Sequence, residues 1–206
     1  MSLPMILTVL RMLLAPLFYI LIAVITPPSY RWAAIVFTLA AVTDWYDGYF
    51  ARLWKLTSPL GAFLDPLADK MLTSAAFIAF AANDIIPVWC VVLIIIRDVY
   101  LTLYRMIADA LHEPIKTSRL AKFKTFFQMS FIIYILAALL MKYELHGAAW
   151  INAGTVMLDE RIMLTLAVVV TALTLLSAAQ YTYDNISVLK LAAKRYILKR
   201  SPQNLS

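Results

Sequence analysis

Residues 44–69 read DWYDGYFARLWKLTSPLGAFLDPLAD and set four aspartates, Asp44, Asp47, Asp65 and Asp69, in the middle of an otherwise apolar chain. A charged residue in a membrane span costs about 2.5–3.5 kcal/mol on insertion scales, so such residues face a bundle interior or a wet cavity and often mark function. Asp44 and Asp47 are three apart and Asp65 and Asp69 four apart, which puts each pair on one face of a helix. The connection between the two apolar segments is short, so two antiparallel neighbours can bring all four carboxylates to one surface.

Four like charges in a low-dielectric setting would take up protons or push the helices apart. A bound divalent cation removes that conflict. All-oxygen carboxylate sets suit hard ions such as Mg²⁺ or Mn²⁺ and leave coordination positions open for substrate phosphates. Two such ions would balance the four acids. Ca²⁺ is compatible with the ligand type, but the helical spacing is not that of an EF-hand loop. His112 and His146 lie away from the acids, which argues against zinc.

Gly48 and Gly61 are two of the four glycines in the chain, and both fall inside this window. A glycine within a helix costs about 1 kcal/mol relative to alanine, so Gly48 directly after Asp47 points to close approach of a ligand or another backbone. Ala51 extends the small-residue strip, which could equally serve helix packing. Arg52 offers a planar fork suited to phosphate oxygens, whereas Lys55 reads as an ordinary anchor at the membrane surface.

Outside this window the 206-residue chain is 63% hydrophobic and 15% charged, with a mean hydropathy of +0.81. That composition predicts an all-α integral membrane protein. A span needs about 20 apolar residues, so the length accommodates roughly six with no large soluble domain. The apolar runs are 4–26, 30–52, 60–83, 86–110, 123–142 and 161–183, and together they predict one membrane domain over 1–206 with a basic tail from about 184. Arg11 stands in the first run with no basic stretch before it and no clear small-residue cleavage site after it, so the run reads as a retained span. Segment 143–160 reads as an external loop.

Lys55, Lys116, Arg119, Lys122, Lys124 and the basic tail fall on one side of these spans, while Arg31, Lys142 and Arg161 fall on the other. Both termini are therefore expected in the cytoplasm. The tail segment LKLAAKRYILKR fits either a helix lying on an anionic leaflet or a solvated cationic end. A single cysteine, Cys90, excludes an internal disulfide.

The pattern Asp44-x2-Asp47-Gly48-x2-Ala51-Arg52-x8-Gly61-x3-Asp65-x3-Asp69 resembles the signature of the CDP-alcohol phosphotransferase family at each fixed position. The resemblance implies a six-helix membrane fold, often dimeric, in a bacterial inner membrane, with the four acids holding two Mg²⁺ or Mn²⁺ ions at the cytoplasmic surface. It further implies that Asp69 is the catalytic base as well as a metal ligand, and that Gly48, Ala51, Arg52 and Gly61 bind the CDP part of a donor such as CDP-diacylglycerol. No nucleic-acid partner is implied.

LPMILTVLRMLLAP, DPLADK, IIIRDVYLTLYR and AKFKTFFQ extend the similarity to the family's bacterial phosphatidylglycerophosphate synthases. For these the acceptor is glycerol 3-phosphate, and Arg97, Arg105, Lys122 and Lys124 stand where its phosphate is received. Arg97 and Arg105, eight apart, are expected near one helix face. Internal pairing with Asp98 and Asp109 is the alternative reading of these arginines. Met5, Ala121 and Asp98 depart from that subfamily's pattern, and Arg97-Asp98-Val99 is similar instead to cardiolipin synthases, which accept phosphatidylglycerol. An ion or metal transporter is the rival outside the enzymes, disfavoured because neither an internal repeat nor broken helices are evident.

Overall fold

The computed structural model describes residues 3–24, 29–54, 59–111, 119–188 and 191, with backbone alone at 3–5, 44–54, 59–67, 69 and 119–122. Among these residues are α1 (Leu3–Tyr19), α2 (Tyr30–Trp54), α3 (Pro59–Ala82), α4 (Val88–Ala110), α5 (Arg119–Tyr143), α6 (Ala148–Met157) and α7 (Glu160–Asp184), and no strand. The helices coincide with the apolar runs to within a few residues. Ile6–Val24, Phe123–Tyr143 and Glu160–Asp184 are long and apolar enough to cross a membrane. The described apolar parts of α2 and α3 are shorter, Tyr30–Thr43 and Lys70–Ala82.

Local chemistry explains the element boundaries. Pro16 lies on the exposed side of α1, and a π-helical turn follows at Ile20–Val24. Carbonyls of that turn are taken up from outside: Ser29 N–H donates to Leu21 O at 3.0 Å, and Asn83 Nδ2 donates to Ile22 O at 3.3 Å. Such re-satisfaction is what lets irregular backbone exist at membrane depth. α3 ends in a Schellman turn, with Ile85 N–H on Phe80 O, Asp84 N–H on Ala81 O, and Asp84 at φ 56°. Asp159 caps α7 by accepting from the N–H groups of Arg161 and Ile162, and Glu160 adds a negative charge in the first turn.

α1 packs on α2 and α3, α3 on α4, and α5 on α6 and α7. Phe18 is the centre of the first cluster, 5.7 Å from the Phe37 ring and 6.2 Å edge-on from Phe80. α4 buries Cys90, Ile94, Arg97, Leu101, Tyr104 and Ala108 against α7, whose buried residues include Ala167, Val170, Thr174, Ser177 and Tyr181. Both stripes alternate steps of three and four, the periodicity of a coiled-coil seam. The α7 stripe is mostly small, which allows close backbone approach.

Segment 143–160 departs from the loop expected of it. It contains α6, which packs on α5 through Gly154, where an added Cβ would lie 2.6 Å from Lys142 N and 2.7 Å from Ala138 O. Ten residues are too few to register as a span, and only the contact with α5 gives this apolar piece a reason to be helical. Alanine is favoured over glycine in a helix by about 1 kcal/mol, but here its Cβ would strike backbone. Gly154→Ala is therefore expected to destabilise the protein by about 1–3 kcal/mol, the usual range for overpacking, seen as a lower thermal midpoint in detergent. An unchanged or raised midpoint would refute this packing.

Candidate functional site

Four of the helices meet at one carboxylate. Asp98, in the middle of α4, is 4% exposed. Its Oδ1 accepts from Arg97 Nη1 at 2.7 Å and from Lys124 Nζ of α5 at 2.8 Å, while Lys70 Nζ of α3 stands 3.7 Å from Oδ2. Arg97 ties the group to α7: its Nε donates to Thr174 O at 3.1 Å and its Nη2 to the Ser177 hydroxyl. Arg97 and Lys124 are 7% and 3% exposed, and Lys70 is half-buried.

Lys70, Arg97 and Lys124 together carry three positive charges against one on Asp98. Buried charge that is not balanced is costly. Among the described residues this cluster is left with an excess of two positive charges. It is suited to an anion of about two charges, and of Lys124's three N–H groups the described contacts use one.

Of the acceptor residues expected from sequence, the structure brings Arg97 and Lys124 together and sets Arg105 apart. Eight residues turn an α-helix by about 80° beyond two full turns, so Arg97 is buried against α7 while Arg105 is exposed, with its guanidinium 5.9 Å from the Tyr181 ring centre. Both nonetheless meet α7, Arg97 at Thr174 and Ser177 and Arg105 over the Tyr181 ring, so they are directed at the same neighbouring helix and differ in exposure. Internal pairing holds for Arg97, which meets Asp98, whereas no Arg105–Asp109 ion pair occurs among the described residues. Lys122 is in α5, but its side chain lies outside the described residues.

Asp44, Asp47, Gly48, Ala51 and Arg52 fall in α2 and Gly61, Asp65 and Asp69 in α3, so the backbone keeps the helical spacing. Their side chains lie outside the described residues, as do positions 55–58 and 112–118 and most of the tail from 184. No three His, Cys, Asp or Glu side chains gather among the described residues. The cation candidates read from the sequence, the four acids of α2 and α3, are outside that set of side chains, and their all-oxygen chemistry fits a hard divalent ion.

Three polar residues were not singled out by sequence reasoning. Thr8 and Arg11, three apart on α1, are each 1% exposed on the helix that packs on α2 and α3. The available signal was Arg11 itself, since a charge in a span faces the bundle interior. Gln128, one turn after Lys124, is buried, and its amide nitrogen has no hydrogen-bond partner among the described residues. Burying such a group unpaired costs about 1–3 kcal/mol, so it too is suited to a polar ligand.

A membrane protein whose described elements are all helical, with paired acids on two consecutive helices and a cationic cluster that reaches the second of these through Lys70, is the class defined by this geometry. The chain belongs to the CDP-alcohol phosphatidyltransferase family, whose model matches residues 1–171. It is similar to the CDP-diacylglycerol–glycerol-3-phosphate 3-phosphatidyltransferase of Bacillus subtilis (strain 168), 42% identical over 103 residues, which are 50% of this chain and 53% of that protein. The protein of the same name from Cereibacter sphaeroides is 41% identical over 132 residues, 62% of this chain and 60% of that one. That from Blochmanniella floridana is 36% identical over 148 residues, 67% and 75% of the two chains. The chain thus spans about half to three fifths of the length of the first two relatives.

The Arg97 anchor is open to direct measurement. Ser177→Ala removes one charge-assisted hydrogen bond, a loss of about 1.5–3 kcal/mol, and Arg97→Leu is expected to cost roughly 3 kcal/mol or more because it unpairs buried groups on two helices. Thermal unfolding in detergent should rank wild type above Ser177→Ala and that above Arg97→Leu. Equal midpoints for all three would show that the guanidinium does not hold α4 to α7.

Proposed function

We propose that the protein transfers the phosphatidyl group of CDP-diacylglycerol to glycerol 3-phosphate, forming phosphatidylglycerophosphate and releasing CMP. The observation that carries this reading is the cluster of Lys70, Arg97 and Lys124 around Asp98, the one carboxylate they meet among the described residues, which suits a small anion next to the helix of Asp65 and Asp69. The names of the relatives support the same donor and acceptor. The full arrangement we infer has six spans, both termini and the site on the cytoplasmic side of a bacterial inner membrane, and two copies of the chain in the working unit.

In this reading Asp44, Asp47, Asp65 and Asp69 hold two Mg²⁺ or Mn²⁺ ions. When bound, the ions supply charge stabilisation to the pyrophosphate. Gly48, Ala51 and Gly61 leave room for the CDP group, and Arg52 meets its phosphate oxygens. Lys124, with Arg97, Arg105 and Lys122, receives the phosphate of the acceptor and orients its free hydroxyl. Asp69 takes the hydroxyl proton as the oxygen bonds to the phosphatidyl phosphorus and the bond from that phosphorus to CMP breaks.

CMP release from CDP-diacylglycerol should be measured with glycerol 3-phosphate, phosphatidylglycerol, inositol phosphate and serine in parallel. Release with glycerol 3-phosphate, abolished by EDTA and restored by Mg²⁺ or Mn²⁺, is expected. Release with phosphatidylglycerol alone would make the protein a cardiolipin synthase, and the absence of CMP release with any of the acceptors would revive the transporter. Asp69→Asn should lower turnover by about 10²–10⁴-fold, the usual contribution of a general base, with donor binding largely kept. Asp47→Asn should weaken metal-dependent donor binding. Wild-type turnover in Asp69→Asn would remove Asp69 from the base role.

A further inference from the structure

We propose that Asp98 is a positioning residue that sets Lys124 for the acceptor phosphate and couples the acceptor half of the site to the donor half through Lys70. This rests on the functional reading above. The carboxylate is the one described group in contact with charged side chains of both α3 and α5, and it is itself held to α7 through Arg97. Lys70 directly follows Asp69 in α3, so its ion pair with Asp98 ties the helix that carries the proposed base to the helix that carries Lys124.

The chemistry separates two roles for such a carboxylate. As a plain negative charge near an anion site, Asp98 would repel the acceptor phosphate, and neutralising it would tighten binding. As an anchor, it uses Oδ1 to fix one N–H of Lys124 at 2.8 Å and so directs the remaining N–H groups. A lysine ammonium is a point charge on a flexible stem with three rotatable donors, so without an anchor it has many rotamers to choose from. Arg97 cannot replace Asp98 in this, because a guanidinium has no acceptor for a Lys124 N–H, and its own position is fixed by bonds to Asp98, Thr174 and Ser177. Neutralisation should then weaken acceptor binding despite the gain in positive charge.

The test compares wild type, Asp98→Asn, Asp98→Glu and the double variant Asp98→Asn/Lys70→Met, each as the full chain in detergent with matched folding by size exclusion. The double variant returns the cluster to the wild-type charge excess while leaving Lys124 without its anchor, and it strands one fewer buried cation. CMP release is measured against each substrate, using whichever acceptor the wild type accepts in the panel above. Asp98→Asn and the double variant are expected to raise the acceptor KM at least tenfold and to move the CDP-diacylglycerol KM less than threefold, with Asp98→Glu recovering most of the loss. An acceptor KM that is unchanged or lower in Asp98→Asn would overturn the inference, as would recovery in the double variant or equal movement of both KM values. A wild type that ignores glycerol 3-phosphate but uses another acceptor overturns the functional reading while Asp98 is still judged on the acceptor that works. A wild type inert with every acceptor overturns both.

Discussion

Asp98 accepts from Arg97 and Lys124 through the same oxygen, faces Lys70 with the other, and is 4% exposed. Removing a carboxylate from water is expensive unless the groups around it restore its interactions. Here they come from α3, α4 and α5, with α7 engaged through the far side of Arg97. The arrangement of these four helices is thus tied to one ionic group. Among the described residues the same group carries more positive than negative charge, which makes it receptive to an anion as well as structural.

The seam between α4 and α7 shows how this polar group is accommodated. The hydrogen-bond partners advance together along the two helices, from Arg97 with Thr174 and Ser177 to Tyr104 with Asn185, so the helices run parallel. Thr174 and Thr171 donate their own hydroxyl hydrogens to carbonyls one turn back, and with alanine at 178 no hydroxyl competes with Arg97 for the backbone oxygen of Thr174. Farther along, Tyr104 packs edge-on against Tyr181 with ring centres 5.6 Å apart. Small polar residues in the upper part of the seam admit the guanidinium, and aromatic rings close the lower part.

The helix positions were legible because apolar runs of span length are long-range averages, insensitive to detail. The helical placement of the four acids was legible because one-turn spacing is a local property of any helix. Three things were not. α6 depends on a glycine meeting the backbone of another helix. Thr8 and Arg11 became significant through the burial of one face of α1 against α2 and α3. Arg97 and Arg105 look equivalent in the sequence and differ only once α7 is in place, which encloses Arg97 at Thr174 and Ser177 and leaves Arg105 exposed over the Tyr181 ring.

By itself, then, the sequence determined that the chain is helical and membrane-embedded, and that two pairs of acids sit one turn apart on consecutive helices, each helix with a glycine close by. These follow from composition and from helix periodicity, which act over a few residues at a time. Only the tertiary structure decided that Asp98 is the common partner of Lys70, Arg97 and Lys124. An ion pair between helices 26 residues apart in the chain depends on packing angle, depth and rotamer together, and none of these is written in the spacing of the residues that make it.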